Sequence, residues 1–299
     1  MSPKGVPLQV RHSGWAGMWR SDSWRATLRR VAAGGVLALH AAARADLLIR
    51  GGLATLLLVA TPAAAGAQPE PPPRIIPRSV LPGLGDADPR RPVEAASDPW
   101  RSLGRVQRET GGRCTGALIG PRTVLTAAHC LVAPRSGALV QPGSLHVLLG
   151  YHLGRWAAHG RVASFVVGPG YDPSGRGPAS ADWAVLTLER PLPVPPDRIL
   201  PLLRDPPAPR TPLMLGGYQQ DRPEALLADT GCRALGLRRD SAGRAMLIHD
   251  CAGTRGVSGA PLLARGPDGR WGVVGVASTV ALEMAMGAAV PAAGLPDVP

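Results

Sequence analysis

The chain has 299 residues and a formal charge of +12, and the distribution of that charge excludes more than its size does. Residues 1–67 hold eight Lys/Arg against two Asp/Glu, while the remaining 25 basic and 19 acidic residues are scattered in short pairs such as Arg90-Arg91 and Arg238-Arg239. No basic run is interleaved with aromatics, so a nucleic-acid partner is excluded, and the roughly 232 residues beyond position 67 are too few for two enzyme domains.

The first feature in chain order is a basic stretch with Arg20, Arg25, Arg29, Arg30, Arg44 and Arg50. Gly51 to Ala67 follows without a charge and contains Leu56-Leu57-Leu58-Val59-Ala60. Ala65-Gly66-Ala67 fits the small-x-small rule for signal cleavage, which makes 1–67 a signal peptide or export region and Gln68 the first residue after it. This run of 17 residues is interrupted by Pro62 and is marginal for spanning a bilayer, so no stable membrane insertion is expected after cleavage. The expected location is outside the cytoplasm, periplasmic or secreted.

Residues 68–98 are rich in proline and arginine, with Pro69, Pro71, Pro72, Pro73, Pro77 and Pro82. Proline supplies no N–H to a helix or a central strand. The stretch therefore reads as a linker or propeptide, or as an arm laid across the domain that follows. From Pro99 the pattern changes to short apolar runs broken by Gly and Pro. Thr123-Val124-Leu125, Leu145 to Leu149, Val162 to Val167, Ala184 to Leu188, Leu213-Met214-Leu215 and Val273 to Ala277 all have strand length. Their spacing predicts an all-β barrel architecture over 99–299. The proline-rich stretch Pro191 to Pro212 is a natural connection between two barrels, about 99–190 and about 211–290. The tail after Pro291 reads as loose.

Three segments carry chemistry. Thr126-Ala127-Ala128-His129-Cys130 places a histidine in a small-residue turn. Asp182-Trp183-Ala184-Val185-Leu186 places a carboxylate at the mouth of an apolar strand. Gly256-Val257-Ser258-Gly259-Ala260-Pro261 places a hydroxyl between glycines. A serine hydroxyl needs a base to become a nucleophile, and an imidazole needs a buried carboxylate to fix its tautomer and orientation. His129, Asp182 and Ser258 are the candidate base, orienting acid and nucleophile. Asp172, in a Tyr-Asp-Pro turn, reads as a solvated loop residue.

Together, and in the order His, Asp, Ser, these segments resemble the trypsin/chymotrypsin-like serine peptidases, from about Pro99 to about Ala289. The resemblance implies two six-stranded antiparallel β-barrels with the active site in the cleft between them. It implies a serine endopeptidase working through an acyl-enzyme, a polypeptide substrate and no cofactor. A monomer is expected. By resemblance, the N–H groups of Gly256 and Ser258 form the oxyanion hole. The residue before the nucleophile is Val257, where many members carry an Asp that pairs with a new N-terminus after zymogen cleavage. That resembles the bacterial branch related to the glutamyl endopeptidases, and it implies an oxyanion loop formed without such an ion pair.

The resemblance also places the substrate pocket. Ala252 stands at the floor, Arg255 at the rim, and the strand from Gly272 to Thr279 forms the wall. Ala277 occupies the place of a histidine found in glutamyl-specific relatives. Ser278 continues the wall and Val280 narrows it, which points to small or apolar side chains, although Arg255 would favour acidic groups. Four cysteines allow three pairings; the resemblance selects Cys114 with Cys130 and Cys232 with Cys251. Disulfides require an oxidising compartment. Without a Cys-x-x-Cys unit, no metal site is expected. Trp183 and His249 read as structural, and His146, His152 and His159 are too irregularly spaced for a metal role. The alternative to an enzyme is a non-catalytic secreted protease-like protein that binds peptides or surfaces.

Overall fold

The computed structural model describes residues 81–297; the export region and the cleavage site read from sequence lie outside the described residues. Thirteen strands make up the fold, and among the described residues every helical segment is a short 3₁₀ turn. They are β1 (Arg91–Pro92), β2 (Leu103–Arg108), β3 (Arg113–Gly120), β4 (Thr123–Thr126), β5 (Leu145–Leu149), β6 (Ala158–Val167) and β7 (Ala184–Leu188). After the inter-barrel connection come β8 (Pro212–Gly217), β9 (Leu227–Arg239), β10 (Ala245–His249), β11 (Pro261–Arg265), β12 (Trp271–Val280) and β13 (Gly287–Pro291).

The first barrel closes in the order β2-β3-β4-β7-β6-β5, with β5 pairing back to β2. Alternation builds it. Leu145, Val147 and Leu149 point inward from β5, and Ala184, Leu186 and Leu188 from β7, while the residues between them are half exposed. The second barrel runs β9-β10-β13-β12-β11-β8 and is closed by β8 pairing with β9; the two-residue β1 adds to the free edge of β9. Its interior is aliphatic, with Leu213, Leu215, Leu247, Leu262, Val274 and Ala289 buried. The architecture is thus two antiparallel six-stranded barrels, and closure removes exposed strand edges while leaving loops free to carry reactive groups.

The connection between barrels is stitched to both. Leu200 N–H bonds Leu118 O of β3, and Leu203 N–H bonds Val273 O of β12. Two further segments are better ordered than composition implies. The tail after Pro291 is pinned by Arg204, whose guanidinium donates to the carbonyls of Ala292, Leu295 and Pro296. The proline-rich stretch, described from Leu81, lies as an arm on the second barrel. Leu81 and Leu84 are buried against Ala252, and Gly253 N–H bonds Gly83 O at 3.0 Å. Gly83 is required there: its φ is +81°, and an added Cβ would come within 2.0 Å of Gly253 O.

Candidate active site

His129 sits in the 3₁₀ turn Ala128–Leu131 that follows β4. The disulfide Cys114–Cys130 ties this turn to β3. Asp182 ends the 3₁₀ turn Ala179–Ala181 just before β7. Because β4 pairs with β7, with Thr126 opposite Ala184, the two loops leave the barrel side by side. The carboxylate then grips the histidine twice. His129 N–H donates to Asp182 Oδ1 at 2.9 Å, and His129 Nδ1 lies 2.8 Å from Oδ2. An ionised carboxylate only accepts, so the proton of that second bond sits on Nδ1 and Nε2 is left with its lone pair. The imidazole remains 40 % exposed, while Asp182 is buried.

Burial alone would raise the pKa of Asp182. The hydrogen bonds from His129, then from Ser278, outweigh it and hold the carboxyl below the ordinary aspartate value. Ser278 Oγ donates to Asp182 Oδ2 at 2.6 Å. The sequence placed Ser278 in the pocket wall; the structure turns its hydroxyl onto the buried acid. Asp172 binds the backbone and hydroxyl of Ser174 within its own turn.

Ser258 lies in the loop between β10 and β11. Its carbonyl accepts Thr115 N–H at 3.0 Å and lies 3.7 Å from Sγ of Cys130, the residue after His129. The structure thus brings the Ser258 backbone beside the histidine turn. The Ser258 hydroxyl has no hydrogen bond among the described residues.

The backbone around it is held carbonyl by carbonyl. Arg255 O accepts Gln220 N–H at 2.7 Å, Gly256 O accepts the Thr115 hydroxyl at 2.9 Å, and Val257 O accepts Ala260 N–H at 2.9 Å. In a trans peptide the C=O and the following N–H point opposite ways. Fixing the carbonyls of Arg255 and Val257 therefore fixes the N–H groups of Gly256 and Ser258, and neither has an acceptor among the described residues. Gly256 has φ +99°, and a Cβ there would lie 2.2 Å from Tyr218 O. Val257 is buried among Gly217, Gly253 and Leu215, so apolar packing occupies the place of an ion pair.

The other pocket residues are placed as follows. Ala252 is fully buried under the arm and donates its N–H to Asp229 Oδ2 at 2.9 Å. Ala277 is buried, and its carbonyl accepts Gly259 N–H at 2.8 Å. Val280 packs partly against the second core, and Arg255 is exposed. The second disulfide, Cys232–Cys251, braces β9 against the segment leading to Ser258. Among the described residues, the His/Cys/Asp/Glu groups close enough to hold an ion are Cys114–His129–Cys130 and Cys232–Asp250–Cys251, and their sulfurs are all engaged in these two bridges. His146 Nδ1 and His159 Nε2 meet at 2.9 Å on the outside of the first barrel, away from the triad candidates. Sequence reasoning missed Thr115, Gln219 and Gln220. Thr115 acts between the barrels, on Gly256 O and Tyr218 N–H, while Gln219 and Gln220 act within the second, on Thr254 and Arg255; none belongs to a motif.

Two antiparallel six-stranded barrels joined by one connection define the class of chymotrypsin-type folds. The trypsin family model matches residues 90–292, and the chain belongs to that family. It is similar to a glutamyl endopeptidase of Bacillus licheniformis, 36% identical over 72 residues. That match spans 22% of this chain and 22% of the relative's length. A solved structure of a Glu endopeptidase in complex with MPD shares the fold, with a TM-score of 0.56 at 20% identity, covering 70% of this chain and 93% of that one.

Proposed function

We propose that the chain is an exported serine endopeptidase that cleaves peptide bonds through an acyl-enzyme. Ser258 Oγ attacks the scissile carbonyl while His129 Nε2 takes its proton. The oxygen that gains charge is received by the N–H groups of Gly256 and Ser258. His129 then gives the proton to the leaving amine, the C–N bond breaks, and Ser258 is left acylated. Water repeats the attack with His129 again as base, which frees the acid and restores the serine. Asp182 stays ionised throughout and stabilises the imidazolium.

The observation that carries this reading is the double grip of Asp182 on His129, with Nε2 of the partly exposed ring unpartnered among the described residues. A structural histidine has no need of a buried acid at both its backbone and its ring. The two disulfides and the uncharged run before Gln68 support export to an oxidising compartment. Ala252 and Ala277 offer neither a carboxylate for a basic side chain nor an imidazole for an acidic one, which supports a preference for small or apolar residues. The processed protein with intact disulfides should cleave an unfolded protein substrate after such residues, and Ser258→Ala should not. Cleavage confined to Arg or Lys sites would overturn the specificity, and no cleavage by the folded protein would favour the peptide-binding alternative.

A further inference from the structure

Arg90 is an arginine at 5% exposure, carried by the arm just before β1. All five of its side-chain donors are used. Nε bonds Asp88 Oδ1 at 2.9 Å, and Nη2 bonds Asp88 Oδ2 and Asp221 Oδ2, each at 2.8 Å. Nη1 bonds Asp221 Oδ1 at 3.1 Å and Gln219 Oε1 at 2.6 Å. The two carboxylates more than balance the charge of the guanidinium, so the bond to a neutral amide needs its own account. Gln219 is fully buried, and its Oε1 also accepts Thr254 N–H at 2.8 Å. Both partners of Oε1 can only donate, so the amide has one possible orientation. Its Nε2 side donates to Leu227 O at 3.3 Å, which anchors it to β9.

Thr254 begins the turn that ends in Ser258: its carbonyl accepts Val257 N–H at 3.0 Å. The next residue of the same loop, Gln220, holds Arg255 O with its N–H and Thr254 Oγ1 with its side chain. A continuous chain therefore runs from Arg90 through Gln219 to Thr254, and the same short segment fixes the peptide that aims Gly256 N–H. Every link is buried or partly buried, where hydrogen bonds are least exposed to competition from water.

We infer that Arg90 and Gln219 are positioning residues for the oxyanion-binding loop, an internal cation on the arm holding in place the turn that Val257 cannot hold by an ion pair. The inference rests on the proposed hydrolytic function. Neither residue touches the reacting atoms; each acts through Thr254 and Arg255. Lysine lacks the planar fork to serve two carboxylates and Gln219 together, so Arg90→Lys is not a conservative change here.

The test compares wild type, Arg90→Lys and Gln219→Met, with folding checked by circular dichroism. Gln219→Met keeps side-chain length and leaves the Arg90 carboxylate pairs in place. Loss of an oxyanion donor costs about 100- to 1000-fold, and a loosened donor less. In both variants kcat should fall by roughly 10- to 100-fold with KM changed by less than about threefold. The inhibition constant of a peptide boronic acid, whose adduct places an oxygen in the same site, should rise by the same factor as kcat falls. A role confined to anchoring the arm would leave the Gln219→Met variant at wild-type kcat. Amide exchange across 252–258, measured in the Ser258→Ala background, gives a readout independent of turnover: it should quicken in both variants. A folded Gln219→Met protein with unchanged exchange and unchanged kcat overturns this inference while leaving the hydrolytic function standing. An inactive wild type with the exchange effect intact overturns the hydrolytic function, and the catalytic meaning of the clamp with it.

Discussion

Ser278, on β12 of the second barrel, donates its hydroxyl to the carboxylate of Asp182, at the mouth of β7 in the first. The bond crosses the cleft and joins residues 96 positions apart in sequence. It occupies an acceptor site on Oδ2, the oxygen that also faces His129 Nδ1. Ser278→Ala should therefore loosen the orientation of the acid and lower kcat by about 3- to 10-fold, a fraction of the roughly 1.5–3 kcal/mol that a hydrogen bond to a charged group is worth, because His129 still holds the carboxylate. KM for a short peptide should change by less. Steady-state kinetics on one substrate decides; an unchanged kcat would show that His129 alone holds the carboxylate.

Gly256→Ala combines two faults, a positive φ and a Cβ driven into Tyr218 O. The loop must move to accept it, and the N–H of residue 256 moves with it. Turnover should fall at least 100-fold, comparable to removing one oxyanion donor. The variant should still fold, because the strain is confined to a loop. A Gly256→Ala protein with near-native kcat would remove this N–H from the mechanism.

His249 provides a pH prediction away from the catalytic groups. It is fully buried, and burial pushes its imidazole down to about 4. Its Nδ1 accepts Cys251 N–H at 3.2 Å, so the ring proton is on Nε2, which has no partner among the described residues. An unfolded histidine binds a proton near pH 6.5. Between that value and about 4 the unfolded chain holds more protons than the folded one, so stability falls as pH falls through this window. The loss reaches about 3 kcal/mol at the lower end, and above pH 6.5 the full stability is present. Urea midpoints at pH 4.5 and 7.5 should differ more for wild type than for His249→Gln. Equal differences would show that the acid sensitivity lies elsewhere.

The Cys114–Cys130 bridge closes a short loop that contains β4 and His129. Replacing both cysteines with alanine should cost about 3 kcal/mol of stability, the loop-closure value for this length. It should also lower kcat, because the histidine turn loses its covalent tie to β3. Chemical denaturation and kinetics on the double variant test the two effects separately.

Much of this was legible in sequence for definite reasons. The first barrel announces itself because β5 and β7 are short apolar runs of strand length bounded by turn residues; their alternating burial emerges only in the fold. Gly256 stands out because its conformation restricts the residue type at that position. The arm was legible only as an alternative to a linker or propeptide, and its partners were not. Prolines between 68 and 98 indicate an absence of regular structure, and the buried environments of Leu84 and Arg90 come from partners far along the chain. Gln219 and Gln220 carry no local pattern; their role exists only where the loop after β8 meets Thr254 and Arg255. Ser278 read as pocket wall because the resemblance places its strand there and says nothing of the acceptor its hydroxyl finds. The 13-residue β9 was legible only in part: the apolar run Ala234 to Leu237 reads as a hairpin strand with Ala245 to Ile248, while the stretch before Gly231 does not.

The most direct test of the account is covalent labelling of the processed, disulfide-intact protein with a fluorophosphonate at neutral pH, followed by peptide mapping. The wild-type protein should take a single stoichiometric label on Ser258, absent in Ser258→Ala and formed at least ~1000-fold more slowly in His129→Ala. A folded protein that takes up no label, or takes it up at another residue, would contradict it.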